Sequence, residues 1–196
     1  LHHSGELENT FGIFIQAGQT SVMPAASPLA SYSENEAQRS WEYDRLTQDY
    51  SVFLSEEVMP LAAQHFDLVW SDSPHDVLLC GISSGGIAAF TAAWHQPHRF
   101  GNVLSHCGSF TNIWGGHNYP YSVRTTPRKP IKVLLQSGSN DAETLFGDWS
   151  TANQSMHKAL KYAGYDSRFE FGEGGHTLRH GGARFAENLR WFWGKR

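Results

Sequence analysis

The feature that most constrains the fold is a series of short apolar runs that alternate with helical segments. Residues 76–80 (DVLLC), 103–104 and 131–135 (IKVLL) predict strands, and residues 168–171 alternate into a last strand. Strands that are apolar on both faces are typical of parallel sheets covered by helices on both sides. We therefore predict an α/β domain with a mostly parallel sheet and helices on both faces.

The segments between these runs have helical patterns. Residues 87–95 are rich in alanine, and residues 150–163 form a second predicted helix. Gly164 follows that helix at the position where glycine commonly adopts the left-handed conformation. Residues 183–193 predict a last helix, so predicted helices follow the first, third and last of these strands.

The first third of the chain is less regular. Residues 11–15 (FGIFI) predict a short buried strand, because the run is apolar and aromatic. Residues 20–38 are rich in serine, alanine and proline, which predicts a surface loop. From Tyr43 the apolar positions recur every three or four residues, which predicts an amphipathic helix that ends or kinks near Pro60.

Length and composition narrow the function classes. The 196 residues suffice for one domain, 1–196, and a hydrophobic content of 40% excludes a disordered chain. A net charge of −4 gives no general attraction to nucleic acid or to an anionic membrane. No apolar run approaches the roughly 18–20 residues of a spanning helix. Because the chain begins at Leu1 and not at methionine, the compartment stays open.

The chain has two cysteines, Cys80 and Cys107, each in an apolar segment. Two cysteines cannot build a disulfide scaffold, so we expect both to be buried free thiols.

A serine motif between a predicted strand and a predicted helix suggests nucleophilic catalysis. Residues 81–85 read G-I-S-S-G, the pattern of a sharp strand-to-helix turn that exposes a nucleophilic serine. We expect Gly81 and Gly85 to be needed because side chains there would collide across the turn. Ser83 is the predicted nucleophile, and the backbone N–H of Ser84 is a predicted oxyanion donor.

A nucleophilic serine needs a base and an acid that orients the base. In this kind of fold they follow the serine in the order acid, then histidine, each after a strand. Asp141 follows the strand at 131–135, and His176 follows the last strand through a glycine-rich approach. The alternatives are Glu143 or Asp148 for the acid and His180 for the base. Asp148 more closely matches a helix N-cap.

Other site residues are less clearly marked. The second oxyanion donor is predicted to be the backbone N–H of Gln19, with Gly18 as the alternative, because a turn follows residues 11–15. Trp114 and Trp149 lie in loops on the presumed active-site side. They are candidates for a substrate pocket, and packing in the core is an equal alternative.

No metal or organic cofactor is predicted. His176 and His180 have the i, i+4 spacing of a zinc-binding helix, yet the glutamate of the H-E-x-x-H motif is absent.

Several segments in order resemble a known family. These are RSWEYDRL, GISSGGIAAF, VLSHCGSF, LLQSGSND, GDWSTANQSM and GEGGHTLRHGG. Together they resemble the enterochelin-esterase-like esterases, which belong to the esterase D and carbohydrate esterase 1 group of α/β-hydrolases. The resemblance covers residues 11–193. It implies that Ser83, Asp141 and His176 form a triad and that Ser84 and Gln19 supply oxyanion amides.

One departure from the family concerns the sheet. The family's sheet has strands before the one predicted at residues 11–15, and this sequence has little upstream of that point. Either the sequence is an N-terminally shortened piece of such a domain, or its sheet is smaller and lacks the family's first strands. An uncovered edge strand would favour pairing with another chain, so a homo-oligomer is a possible consequence.

These observations predict a serine carboxylic-ester hydrolase that forms an acyl-enzyme on Ser83 and acts on a small-molecule ester. Two alternatives stay open. One is an acyltransferase of the same fold, as in the mycolyltransferase relatives, in which an alcohol replaces water. The other is a non-catalytic binding module, because a fold alone does not determine function.

Overall fold

Strands and helices alternate through most of the chain. The computed structural model describes residues 5, 7, 10–18 and 34–194. The elements are α1 Glu34–Tyr43, α2 Asp49–Val52, a π-helical segment Phe53–Val58, α3 Met59–Phe66, β1 Leu78–Ile82, α4 Ser84–His95, β2 Asn102–His106, α5 Tyr119–Thr125, β3 Lys132–Asn140, β4 Glu143–Thr144, β5 Gly147–Asp148, α6 Trp149–Tyr162, β6 Ser167–Gly175 and α7 Leu178–Trp193.

Four parallel strands form the main sheet, in the order β1-β2-β3-β6. Strands β4 and β5 make a separate two-stranded antiparallel ladder just before α6. The predicted mostly parallel α/β architecture is confirmed. Because all four strands run the same way, their carboxyl ends meet at one edge of the sheet, where binding sites of open α/β folds lie.

The two faces of the sheet are covered differently. Val103, Val133 and Leu135 belong to one buried apolar cluster that includes residues of α4 and α6. Successive side chains of a strand point to opposite faces. The alternate residues His106 and Gln136 therefore face α7, and both are buried. Helices thus cover both faces. One covers an apolar layer, and the other covers a mixed layer in which Leu104 and Leu134 lie beside His106 and Gln136.

The strand predicted at residues 11–15 is wrong. Residues 10–18 have no regular secondary structure, and the side chain of Phe14 is 99% exposed. A groove of about 700 Å³ is lined by residues 13–18 on one side and by β1 on the other. Among the described residues, no neighbouring strand pairs with the apolar run, and a strand requires such a hydrogen-bonded neighbour.

The position of β1 at the edge of the sheet also corrects the expectation for one thiol. Cys80 is exposed, whereas Cys107 is buried as predicted, and both are free. An edge strand lacks a neighbour on one side, so its side chains keep more contact with solvent.

The helices of the first third begin and end differently from prediction. Of the loop predicted at residues 20–38, residues 20–33 lie outside the described residues and the rest belongs to α1. The following helix continues past Pro60 to Phe66, because the N–H of Met59 bonds five residues back to Leu54 O in a wider, π-type turn. Within the described residues, no helix combines the length and apolarity needed to cross a membrane.

The start of α6 gives a stability test. Asp148 Oδ1 accepts a hydrogen bond from the N–H of Thr151 at 2.7 Å, which is N-cap geometry. Replacing Asp148 by Ala removes this acceptor and should lower the free energy of unfolding by about 1 kcal/mol. Asp148→Asn should lose much less, because its amide oxygen can still accept. Urea unfolding of the three proteins measures both effects; equal losses would contradict a capping role.

Candidate active site

The predicted nucleophile lies on a strained turn between β1 and α4. Ser83 has φ +57° and ψ −120°, a backbone conformation that residues other than glycine rarely adopt. A Cβ at Gly81 would collide with the backbone of Gly85, so glycine is required there as predicted. The expectation for Gly85 is wrong, since a Cβ there meets no atom within 4 Å. The second crowded position is Gly86, where a Cβ would lie 2.6 Å from Ser105 Oγ.

The register of the sheet brings the predicted acid and base together. Asn140 of β3 pairs with Gly175 of β6, and the next residue on each strand is Asp141 and His176, respectively. The Nδ1 of His176 lies 2.5 Å from Asp141 Oδ1. A carboxylate can only accept, so Nδ1 carries the hydrogen, which leaves Nε2 of a neutral imidazole free to take a proton.

The Asp141 carboxylate is fully enclosed and well supplied with donors. Its side chain has no exposed surface. Ser137 Oγ donates to Oδ2 at 2.5 Å, and the N–H of Ala142 donates to Oδ1 at 2.8 Å. Burial alone would raise the pKa of Asp141, but the bonds from His176, Ser137 and Ala142 outweigh it and hold the pKa below its usual value. The acid therefore stays ionised beside the imidazole.

The hydroxyl of Ser83 lies next to a second serine. Its Oγ lies 3.3 Å from Ser109 Oγ, and no hydrogen bond joins it to His176 within the described residues. Trp149 Nε1 donates to Ser109 Oγ at 3.2 Å, while its ring packs edge-on against His176 with centroids 5.8 Å apart. Trp149 and Ser109 thus connect the serine to the imidazole.

Of the predicted oxyanion donors and their alternative, Ser84 and Gly18 belong to the described residues. Ser84 is buried at the first position of α4. Its N–H is among the amides that a helix start leaves without an intrahelical partner. The N–H of Gly18 is already engaged, since it donates to Glu42 Oε2 at 2.9 Å. That contact argues against Gly18 as a donor. Gln19 lies outside the described residues.

The alternatives for acid and base occupy other places. His180 Nδ1 lies 3.2 Å from Gln136 Nε2, between α7 and the sheet. Asp148 caps α6, and Glu143 is exposed on β4. None of these contacts joins the Asp141–His176 pair, so the geometry favours the predicted residues.

The two tryptophans suggested for a substrate pocket are also in different surroundings. Trp149 is 4% exposed, which fits the packing alternative better than a pocket wall. Trp114 is half-buried, donates to Ser40 Oγ at 3.1 Å and packs on Trp41 of α1.

One side-chain group has the composition of a metal site. Ligand atoms of Cys107, Asp141 and His176 all lie within 4.8 Å of one another. However, both oxygens of Asp141 already accept hydrogen bonds, and one is to His176. Burial and the nearby Asp141 raise the pKa of the Cys107 thiol to about 12, which keeps the sulfur protonated. These contacts favour an acid–base pair over a metal centre.

Comparison with known proteins now identifies the family. Residues 1–192 match the family described as "Putative esterase". The chain belongs to this esterase family. Over 155 residues it is 29% identical to the Iron(III) enterobactin esterase of Dickeya dadantii (strain 3937), a match that covers 70% of this chain and 34% of that protein.

Solved structures agree on the fold of the chain. The enterochelin esterase from Shigella flexneri superposes with a TM-score of 0.64 at 23% identity, covering 80% of this chain and 39% of that one. S-formylglutathione hydrolase from Staphylococcus aureus gives a TM-score of 0.58 at 17% identity, covering 80% and 64%. The chain therefore spans little more than a third of the length of its enterobactin esterase relatives.

Sequence reasoning missed three polar residues that surround the candidate site. Ser109 lies beside Ser83, Ser137 donates to the predicted acid, and Asp44 Oδ2 accepts from Ser84 Oγ at 2.9 Å. All three lie within segments that carried the family resemblance: Ser109 three residues after β2, Ser137 within β3 and Asp44 directly after α1. A buried serine or aspartate there has no periodicity that would single it out.

Asp44 gives a pH test. Burial raises its pKa to about 6, despite the hydrogen bond from Ser84. The folded protein then holds a proton that the unfolded chain releases near pH 4, so this group's stabilisation is present below pH 4 and is lost as the pH rises through 6. Asp44→Asn should therefore gain in free energy of unfolding relative to wild type between pH 4 and pH 7. Denaturant titrations at both pH values measure this, and a constant difference would contradict it.

Proposed function

We propose that this chain hydrolyses carboxylic esters through an acyl-enzyme on Ser83, with His176 as base and Asp141 as the acid that orients it. The observation that carries the proposal is the 2.5 Å contact between His176 Nδ1 and Asp141 Oδ1, made at the sheet edge that also ends in the Ser83 turn. Membership of an esterase family supports the same chemistry.

In the first half of the reaction, Ser83 Oγ attacks the ester carbonyl carbon while its proton moves to His176 Nε2. Ser83 must first turn from Ser109 towards the imidazole. The carbonyl π electrons move onto oxygen, and the N–H of Ser84 stabilises this oxyanion together with the predicted Gln19 N–H. Collapse of the intermediate breaks the bond to the alkoxy oxygen, which leaves as an alcohol with the proton from His176.

In the second half, water takes the place of the alcohol. His176 Nε2 accepts a proton as the water oxygen attacks the acyl carbon, and returns it to Ser83 Oγ when the acid leaves. Throughout, Asp141 stays ionised and balances the positive charge that forms on the imidazole. The donors around Asp141, which keep its pKa low, support this role.

The proposed substrate is a small-molecule ester. The relatives named enterobactin esterase and enterochelin esterase are, by those names, enzymes that act on esters of small molecules. The site residues themselves specify the reacting carbonyl group and not the rest of the substrate.

Covalent labelling tests the nucleophile. A fluorophosphonate probe should label the wild-type chain, and Ser83→Ala should abolish both labelling and hydrolysis of short-chain nitrophenyl esters. Ser84→Ala is the matched neighbour: it keeps the backbone N–H and should still be labelled, though more slowly. Equal loss in both variants would mean that the turn is misinterpreted. Absence of labelling in the wild type would favour a binding module.

The acid is tested by a pair of isosteric changes. Asp141→Asn removes the charge that fixes the imidazole and should lower kcat by on the order of 10⁴-fold, as in triads of this type. Asp148→Asn keeps its capping oxygen and should retain activity. Steady-state kinetics on both variants, with circular dichroism to check folding, decide the assignment. A folded but inactive Asp148→Asn beside an active Asp141→Asn would move the acid towards α6.

A further inference from the structure

Glu42 and Tyr43 are the last two residues of α1, and Asp44 follows them. None of the three has a part in the mechanism described above. Glu42 holds the stretch that precedes Gln19, because its Oε2 accepts from Gly18 N–H at 2.9 Å and its Oε1 from Gln38 Nε2 at 2.6 Å. Tyr43 contacts the same stretch through a hydrogen bond from its hydroxyl to Ile15 O at 3.4 Å.

The next residue contacts the other side of the site. Asp44 Oδ2 accepts a hydrogen bond from the Ser84 hydroxyl at 2.9 Å. Both residues are buried, with 1% of Asp44 and 3% of Ser84 exposed. Asp44 is itself tied to α1, since its N–H donates to Ser40 O. Three successive residues therefore reach two chain segments that are 66 positions apart, at Gly18 and Ser84.

Gly18 and Ser84 mark the two places from which the oxyanion donors are predicted to come. We propose that Glu42 and Asp44 are positioning residues that set the spacing of the oxyanion hole. This inference rests on the proposed function. Glu42 acts through the Gly18 peptide, which is bonded directly to Gln19, and Asp44 acts through Ser84.

The chemistry of the two contacts fits such a role. A carboxylate that accepts from an N–H or O–H makes a charge-assisted bond, which is shorter and stronger than a neutral one. Both carboxylates lie on the last turn of one helix or just after it, so a shift of α1 moves both segments together. Oxyanion stabilisation depends on donors that are already in place when charge develops on the substrate oxygen.

The experiment compares Glu42→Ala with Asp49→Asn. Asp49 is a nearby exposed carboxylate that pairs with Arg45, so it controls for loss of charge. Glu42→Ala should lower kcat by between about tenfold and a hundredfold with little change in KM, because a misplaced donor weakens the transition state more than the bound ester. Asp49→Asn should show neither change.

A transition-state analogue separates positioning from general loss of structure. A trifluoromethyl ketone matched to the ester forms a tetrahedral adduct whose oxygen occupies the oxyanion hole. Its inhibition constant should rise in Glu42→Ala by the same factor by which kcat/KM falls. A merely structural role would lower the active fraction, as counted by fluorophosphonate, and leave the inhibition constant of that fraction unchanged.

Asp44 is tested by rescue and by a double mutant. Asp44→Ala should lower kcat in the same way, and Asp44→Asn, whose amide oxygen still accepts from Ser84, should recover most of the loss. If the effect passes through that hydrogen bond, Ser84→Ala combined with Asp44→Ala should be no worse than the more damaged single variant. Should Asp44→Ala fail to fold, the comparison of Asp44→Asn with Ser84→Ala on the ketone carries the test.

The outcomes distinguish this inference from the proposed function. An active wild type whose Glu42→Ala and Asp44→Ala variants match Asp49→Asn in kcat and in ketone binding overturns the positioning role alone. A wild type that neither reacts with fluorophosphonate nor hydrolyses esters overturns the proposed function and the positioning role with it. Parallel losses in kcat/KM and ketone affinity support both.

Discussion

The strained backbone at Ser83 is the constraint on which the arrangement of the site depends. A positive φ at a residue with a side chain costs ~1–3 kcal/mol and persists only where the surroundings enforce it. Here the N–H of Ser83 donates to His106 O, and the carbonyl of Ser83 accepts from the N–H groups of Gly86 and Ser109. These bonds join β1, the start of α4 and the loop after β2, so the turn cannot relax without breaking contacts in all three.

The carboxyl ends of the parallel strands also hold the other residues of the candidate site. Hydrogen bonds between neighbouring strands continue there past the end of β2. The N–H of Cys107 bonds to Gln136 O, which carries the pairing of β2 and β3 one residue beyond β2, and Cys107 also has a positive φ of 46°. On the far side, the pairing of Asn140 with Gly175 leads directly into the acid and the base. The parallel strands therefore lead into Ser83, Asp141 and His176. Outside the sheet, Glu42 at the end of α1 contacts Gly18, and Asp44, directly after α1, contacts Ser84.

The sequence predicted the residues at the strand ends and missed the contacts between distant segments. Parallel strands were recognisable from apolar runs, and strand ends with glycine, serine and acidic residues marked Ser83, Asp141 and His176. The strand at residues 11–15 failed because apolar character does not reveal whether a neighbouring strand is present. The partnership of Ser83 with Ser109, and of Glu42 with Gly18, depends on contacts 26 and 24 positions apart in the chain. Such contacts have no local periodicity, so only the folded chain reveals them.

Asp44 illustrates a conflict between stability and site geometry. Its carboxylate is buried, its Oδ1 has no hydrogen-bond partner within the described residues, and its pKa is raised to about 6. A well-packed apolar side chain of similar size would commonly stabilise a fold more than a buried charge does. Such a side chain would leave the hydroxyl of Ser84, at the start of α4, without its acceptor. A buried hydroxyl without an acceptor can recover a partner only by moving. The buried Asp44 carboxylate therefore lowers the stability of the fold but holds Ser84 in one position through its hydrogen bond.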